Sequence, residues 1–146
     1  MDLTYKNADK SDIECIFNLN KNLIDQYEDI KSIDYEKVLL WVHKKIERHI
    51  YEYKCIIFEG KKVGYYFFHK VDSKMEMDDL YVFEGYRNLG IGTTVLNNCF
   101  EKTDLPIFLY VFKKNIKAIK LYSLLGFRVS EVCGNTRYIM QKQDNI

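Results

Sequence analysis

The hydrophobic positions along the chain change period several times, and those changes lay out the elements. Leu3 to Lys6 reads as a short first strand. Ser11-Asp12-Ile13-Glu14 then reads as a capping box, followed by a helical stripe of Ile13, Ile16, Phe17, Asn20 and Ile24 with one polar interruption. Asp34 is placed to cap a second helix with Val38, Trp41, Val42 and Ile46 on one face. The period then shortens. Lys54 to Glu59, Lys62 to Lys70 and Lys74 to Phe83 are strand-like, with turns predicted at Gly60-Lys61 and Asp72-Ser73. Thr93 to Glu101 is helical, Ile107 to Phe112 is a buried strand, and Asn115 to Leu125 is a helix closed by Gly126. Phe127 to Val132 and Arg137 to Gln141 form a closing hairpin. The predicted order is β-α-α-β-β-β-α-β-α-β-β, an α/β sheet with mixed pairing.

The chain has 146 residues, which favours one domain spanning residues 1–146. Its 22 basic and 21 acidic residues leave a net charge of +1, which argues against a generic nucleic-acid binder. Cys15, Cys55, Cys99 and Cys133 are scattered and only three histidines occur, so no zinc site is expected. Reduced thiols in a cytoplasmic protein are the plain reading. The first residues are polar and acidic, unlike a signal peptide, and no apolar run is long enough for a membrane helix.

The densest chemical signal is Arg87-Asn88-Leu89-Gly90-Ile91-Gly92, between a strand and a helix. A strand that opens through glycines into a helix offers free backbone N–H groups and a positive dipole end, which suits a phosphate or pyrophosphate. Backbone amides from Leu89 to Thr93 are the expected donors, with Gly90 and Gly92 removing Cβ atoms from the ligand's path. A P-loop would need a lysine after its glycine, where Thr93-Thr94 stands, and a dinucleotide fingerprint would need a third glycine.

Leu80-Tyr81-Val82 followed by Arg87-x-x-Gly90-x-Gly92, together with Asn115-x-x-Ala118-x-x-x-Tyr122-x-x-x-Gly126-Phe127, resembles the GNAT superfamily of acetyl-CoA-dependent N-acetyltransferases. The resemblance covers nearly the whole chain and is strongest from Leu80 to Phe127. One departure is Glu84, where the family often has a proline. The resemblance implies a mixed, mostly antiparallel central sheet, splayed between the fourth and fifth strands and flanked by helices. It implies that acetyl-CoA is the acyl donor, with its pyrophosphate on the glycine loop and its pantetheine arm paired with Leu80, Tyr81 and Val82. Arg87 would add a charge-assisted bond or brace the loop. Asn115 would cap a helix and touch coenzyme A. Among Lys113, Lys114, Lys117 and Lys120, one or two would meet its 3′-phosphate.

Tyr122 is implied as proton donor to the departing thiolate. With reference pKa values of ~10 and ~8.5, that transfer is uphill by roughly 2 kcal/mol before the site adjusts either group. Some family members place a catalytic glutamate where Glu76 lies, so Glu76 is the expected base or water relay, with Asp78 second. Strict strand alternation puts Glu76 and Asp78 on the face of Leu80 and Val82, with Asp79 opposite. The carboxylates point to a cationic acceptor: a small amine, polyamine, aminoglycoside or protein amine. No metal, nucleic acid or membrane partner is expected, and a homodimer is admitted. The alternative is a non-catalytic acyl-CoA-binding regulatory module on the same fold.

Overall fold

The computed structural model describes residues 1–143. The strands are β1 (Leu3–Asn7), β2 (Lys54–Phe58), β3 (Lys61–Val71), β4 (Lys74–Val82), β5 (Ile107–Phe112), β6 (Arg128–Cys133) and β7 (Arg137–Lys142). The helices are α1 (Ile13–Tyr27), α2 (Tyr35–His49), α3 (Ile91–Phe100) and α4 (Ile116–Leu124). The order matches the one predicted. The strands form one sheet, β1-β2-β3-β4-β5-β7-β6, antiparallel throughout except for β4 and β5.

Local chemistry explains most boundaries, with three corrections to the sequence reading. The box before α1 is formed by Asp9 and Asp12, two residues earlier than predicted. Asp12 is only 4% exposed, because its carboxylate also accepts bonds from Lys62 Nζ at 2.5 Å and the Tyr65 hydroxyl at 2.7 Å. The β2–β3 turn is Glu59-Gly60, one residue earlier than Gly60-Lys61, since both have positive φ as a type I′ turn requires. Trp41 leaves the apolar stripe: Val42 and Ile46 are buried, whereas Trp41 is 66% exposed. Asp34 does cap α2, accepting the Lys37 N–H.

Two apolar layers cover the sheet. Ile91, Val95, Leu96 and Cys99 of α3 pack on one face with Ile107, Leu109 and Phe127. Ile16 and Ile24 of α1 and Val42 and Ile46 of α2 pack on the other, with Tyr53, Tyr65, Phe67 and Tyr81. Gly64 lets β3 approach β4, since a Cβ there would stand 2.0 Å from the Tyr81 carbonyl oxygen.

Two irregularities make the site. The parallel β4–β5 pairing covers only Met75–Ile107 and Glu76–Phe108, so the strands part beyond Glu76. The β3–β4 register also slips, with Phe67 opposite Asp79 and Phe68 opposite Met77, which leaves Asp78 as the extra residue of a β-bulge. The bulge resets the alternation. Leu80 and Val82 pack with the α3 layer, while Asp79 and Tyr81 face α1 and α2. Asp78, bonded to Lys45 of α2, therefore shares its face with Asp79 and not with Leu80 and Val82. The expected separation of the two aspartates is overturned by this one inserted residue.

Candidate active site

A cleft of about 1680 Å³ opens where β4 and β5 diverge. Its volume exceeds the ~300–1,000 Å³ of an ordinary small-molecule pocket, leaving room for two ligands. Every site residue predicted from the sequence lines it except Leu89, whose side chain is 51% exposed at the loop tip.

One half is built from backbone. Gly90, at φ 86°, is the left-handed residue that turns the chain into α3. No side chain caps this helix. Its first amides, those of Ile91, Gly92 and Thr93, have no intrahelical acceptor, and all three residues line the cleft. A Cβ on Gly92 would meet only Leu121 Cδ2, at 3.6 Å, so the space in front of it is open. Arg87 donates from Nε to the Val82 carbonyl at 3.1 Å, bracing the loop against the end of β4. Beyond Glu76 the β4 edge facing β5 has no strand partner. This edge and the amides fit an elongated ligand with peptide-like and phosphate parts. Lys114 and Lys117 also line the cleft, while Lys113 turns to the Tyr138 ring.

The capping of α4 positions Tyr122. Asn115 Oδ1 accepts the Ala118 N–H at 3.3 Å. At the other end Gly126, φ 97°, allows a Schellman motif: Phe127 N–H to the Tyr122 carbonyl at 3.0 Å and Gly126 N–H to the Ser123 carbonyl at 3.2 Å. The accompanying hydrophobic contact is between the Tyr122 and Phe127 rings, with centroids 5.8 Å apart. The spacing Tyr-x-x-x-Gly-Phe is thus a helix terminus that fixes the tyrosine ring. Burial, with a smaller push from Asp79, raises the Tyr122 hydroxyl to about 12, so it is protonated at neutral pH.

The other half is built from side chains. Asp79, 6% exposed, accepts from the Tyr53 hydroxyl, the Tyr81 hydroxyl at 3.0 Å and Lys45 Nζ at 3.3 Å. Asn20 Nδ2 completes the group at 3.5 Å. Lys45 also bonds Asp78 at 3.0 Å. His69 Nε2 lies 3.3 Å from Glu76 and 3.5 Å from Asp78, an ionic contact with neither oxygen aligned for a hydrogen bond. Its ring stacks on Phe67 at 4.2 Å. Burial, then repulsion from Asp78, pushes the Glu76 carboxyl up to about 7, with His69 and Lys45 pulling the other way. Asp78 is held below the usual carboxylate range by His69 and Lys45, which outweigh its burial. Two neighbouring carboxylates therefore differ: one ionised and paired, one near half-ionised at pH 7.

The sequence patterns do not single out Lys45, Tyr53 or His69 as site residues. Lys45 alone leaves a trace, as a polar position beside the buried stripe of α2. The triplet His69, Glu76 and Asp78 has ligand atoms within 4.8 Å of one another, but the Lys45 ammonium already bonds Asp78.

A model of the Acetyltransferase (GNAT) family matches residues 18–127. The chain belongs to this family. No curated protein matches the sequence. Among solved structures, the chain is similar to the PaiA N-acetyltransferase from Thermoplasma acidophilum in complex with coenzyme A, at 20% identity, TM-score 0.67 and coverage of 98% of this chain and 99% of that one. It is also similar to an acetyltransferase from Thermus thermophilus, at 14% identity and TM-score 0.73, covering 98% and 97%. PH1933 from Pyrococcus horikoshii aligns at 18% identity and TM-score 0.70, covering 99% and 100%. At these identities the likeness shows the GNAT fold. No helix among the described residues is long and apolar enough to cross a membrane.

Proposed function

We propose that this GNAT protein transfers an acetyl group directly from acetyl-CoA to a primary amine. The carrying observation is the continuous cleft from the free α3 amides to Glu76, with Tyr122 also lining it. The amides of Ile91, Gly92 and Thr93 would hold the pyrophosphate, and the open edge of β4 from Leu80 to Val82 would pair with the pantetheine arm.

The chemistry asks for proton transfers at two places. A lysine-like ammonium has pKa ~10.4, so its neutral form costs roughly 4–5 kcal/mol at pH 7. Lys45 and His69 make the acceptor end unfavourable for an added cation. The neutral amine nitrogen attacks the thioester carbonyl, a C–N bond forms, and the C–S bond breaks. Glu76, poised near 7, takes the proton released from nitrogen. The thiolate leaves with the electron pair and takes a proton from Tyr122 or from water. No acyl-enzyme is invoked, because no cysteine in the cleft has a base beside it in the way a nucleophile needs.

Purified protein with acetyl-CoA should release free thiol in the presence of an amine panel. Its kcat at saturating amine should rise through about pH 7 as Glu76 ionises and then level, while kcat/KM keeps rising toward the pKa of the amine because only the neutral amine reacts. Tight coenzyme A binding without turnover on a broad panel would instead favour the regulatory module.

A further inference from the structure

The acceptor end of the cleft holds two cations that its own acids leave unbalanced. Asp78 and Asp79 are engaged by Lys45, and Glu76 and Asp78 face His69. The acidic strand that suggests a cationic acceptor in the sequence is therefore largely neutralised from within. Arg48 and Arg137 remain. Neither has a carboxylate within ion-pair distance among the described residues, and both line the cleft.

They approach from different walls. Arg48 follows Lys45 by three positions on α2, so the two share a helix face, and Trp41 precedes Lys45 by four on the same face. Arg137 opens β7 opposite Phe112 of β5, and its guanidinium carbon lies 5.4 Å from the Tyr110 ring centroid. Tyr110 lies two residues along β5 from Phe108, the partner of Glu76, and feels the charges of Glu76, Arg137 and Glu131, so the arginine and the candidate base act on the same ring. Lys45, the cation between the walls, is already engaged by the aspartates.

A guanidinium stacked on an aromatic ring and free of a partner acid presents a planar fork suited to carboxylate or phosphate. Resting on the N-acetyltransferase reading above, we propose that the acceptor is an amine that also carries an oxyanion, a carboxylate or a phosphate. Arg137 and Arg48 grip the oxyanion while the amine meets Glu76. A polyamine would instead set its second ammonium against two guanidiniums. Trp41, exposed at the same rim, offers an apolar surface to the acceptor's skeleton.

The test uses matched amines: phenylalanine against phenethylamine, lysine against cadaverine, and β-alanine and phosphoethanolamine against propylamine. In at least one series the oxyanion-bearing amine should exceed its stripped counterpart by about tenfold or more in kcat/KM, or ~1.4 kcal/mol. Arg137→Gln should shrink that ratio by about tenfold, with Arg48→Gln smaller and Arg137→Lys intermediate. The carboxylate and phosphate arms separate the two oxyanions. A preference for the stripped amine or for cadaverine in every series, or an Arg137→Gln variant with an unchanged ratio, overturns the proposal. Failure of the enzyme reading looks different: coenzyme A binds by calorimetry but no amine is acetylated. In that case, calorimetric titration of the same amines into the coenzyme A complex still reads the oxyanion preference, and its absence there overturns the proposal too.

Discussion

The two halves of the cleft are made of different materials. The donor half uses main chain: amides at the start of α3, the unpaired edge of β4, and two glycines. The acceptor half uses side chains brought from α1, α2, β3, β4 and the Tyr53 turn onto one buried aspartate and its neighbours. Main-chain sites keep their geometry through many substitutions, because every residue except proline has an N–H. Side-chain sites depend on each member, because removing one leaves a buried charge unpaired. The halves should therefore respond oppositely to mutation, and that contrast can be tested directly.

The sharpest break is Lys45→Met. It leaves Asp78 and Asp79 facing each other with no ammonium between them. Removing one partner of a buried pair costs ~3–5 kcal/mol, and urea denaturation should show a loss of this size. A loss within experimental error would mean that the acceptor half is as tolerant as the donor half.

Glu76→Gln comes next. As the candidate base it should lower kcat by about 10²–10⁴-fold, the usual contribution of a positioned base, while coenzyme A affinity stays within about twofold. The rise in rate through about pH 7 should vanish. The same change should act on stability with the opposite sign. The folded carboxyl is raised from 4.5 to about 7, so the folded state binds the proton more tightly, and stability falls as pH rises between those values. Glutamine stays neutral, so the variant should gain stability on wild type above about pH 7, by up to ~3 kcal/mol from the shift alone, and show little gain at about pH 4. The attraction of His69 and Lys45 is already contained in that shift.

The same contrast explains what the sequence can tell. The donor half is legible because backbone sites demand particular residues at fixed local spacing. Gly90 supplies a positive φ, Asn115 a cap, and Gly126-Phe127 a helix end that fixes Tyr122. Each motif is local and each has one physical cause. The splay beyond Glu76 agrees with the family expectation, although nothing in the strand patterns of β4 and β5 reports where pairing stops. The acceptor half is less legible because its contacts span long separations, such as the 59 residues between Asn20 and Asp79. Alternation along β4 also fails at Asp78, since a bulge inserts one residue without altering composition. Trp41 misleads for a related reason: apolar character places a residue in the core only if the face it occupies is covered. Here that face opens on the cleft.

Gly92→Ala probes the donor half. The methyl group meets only Leu121 Cδ2 at 3.6 Å, so the fold accepts it. Alanine is the better helix former by up to ~1 kcal/mol, so the melting temperature should hold or rise. The methyl projects into the open space before the free amides, so coenzyme A affinity should drop by about tenfold, ~1.4 kcal/mol. Stability and affinity moving in opposite directions is the mark of a main-chain ligand site. A concerted loss of both would mean that Gly92 is needed for the turn alone.

The smallest effect is expected from Tyr122→Phe. With its hydroxyl at about 12, Tyr122 is a weaker acid than its sequence suggests. Transfer to a thiolate of pKa ~8.5 is then uphill by roughly 5 kcal/mol rather than about 2. The same dry cleft raises the thiol too, which returns part of the difference, and water competes as donor. A kcat loss of about threefold to fivefold follows, below the ~10²–10⁴-fold of a well-matched acid. Phenylalanine keeps the ring that packs on Phe127, so unfolding should be nearly unchanged and coenzyme A should bind within about twofold. Rapid-quench measurement of a single turnover, compared with wild type at about pH 6 and pH 8, would separate the cases. A loss above roughly a thousandfold at both values would make Tyr122 the sole proton source. An unchanged rate would leave it as the ring that closes α4.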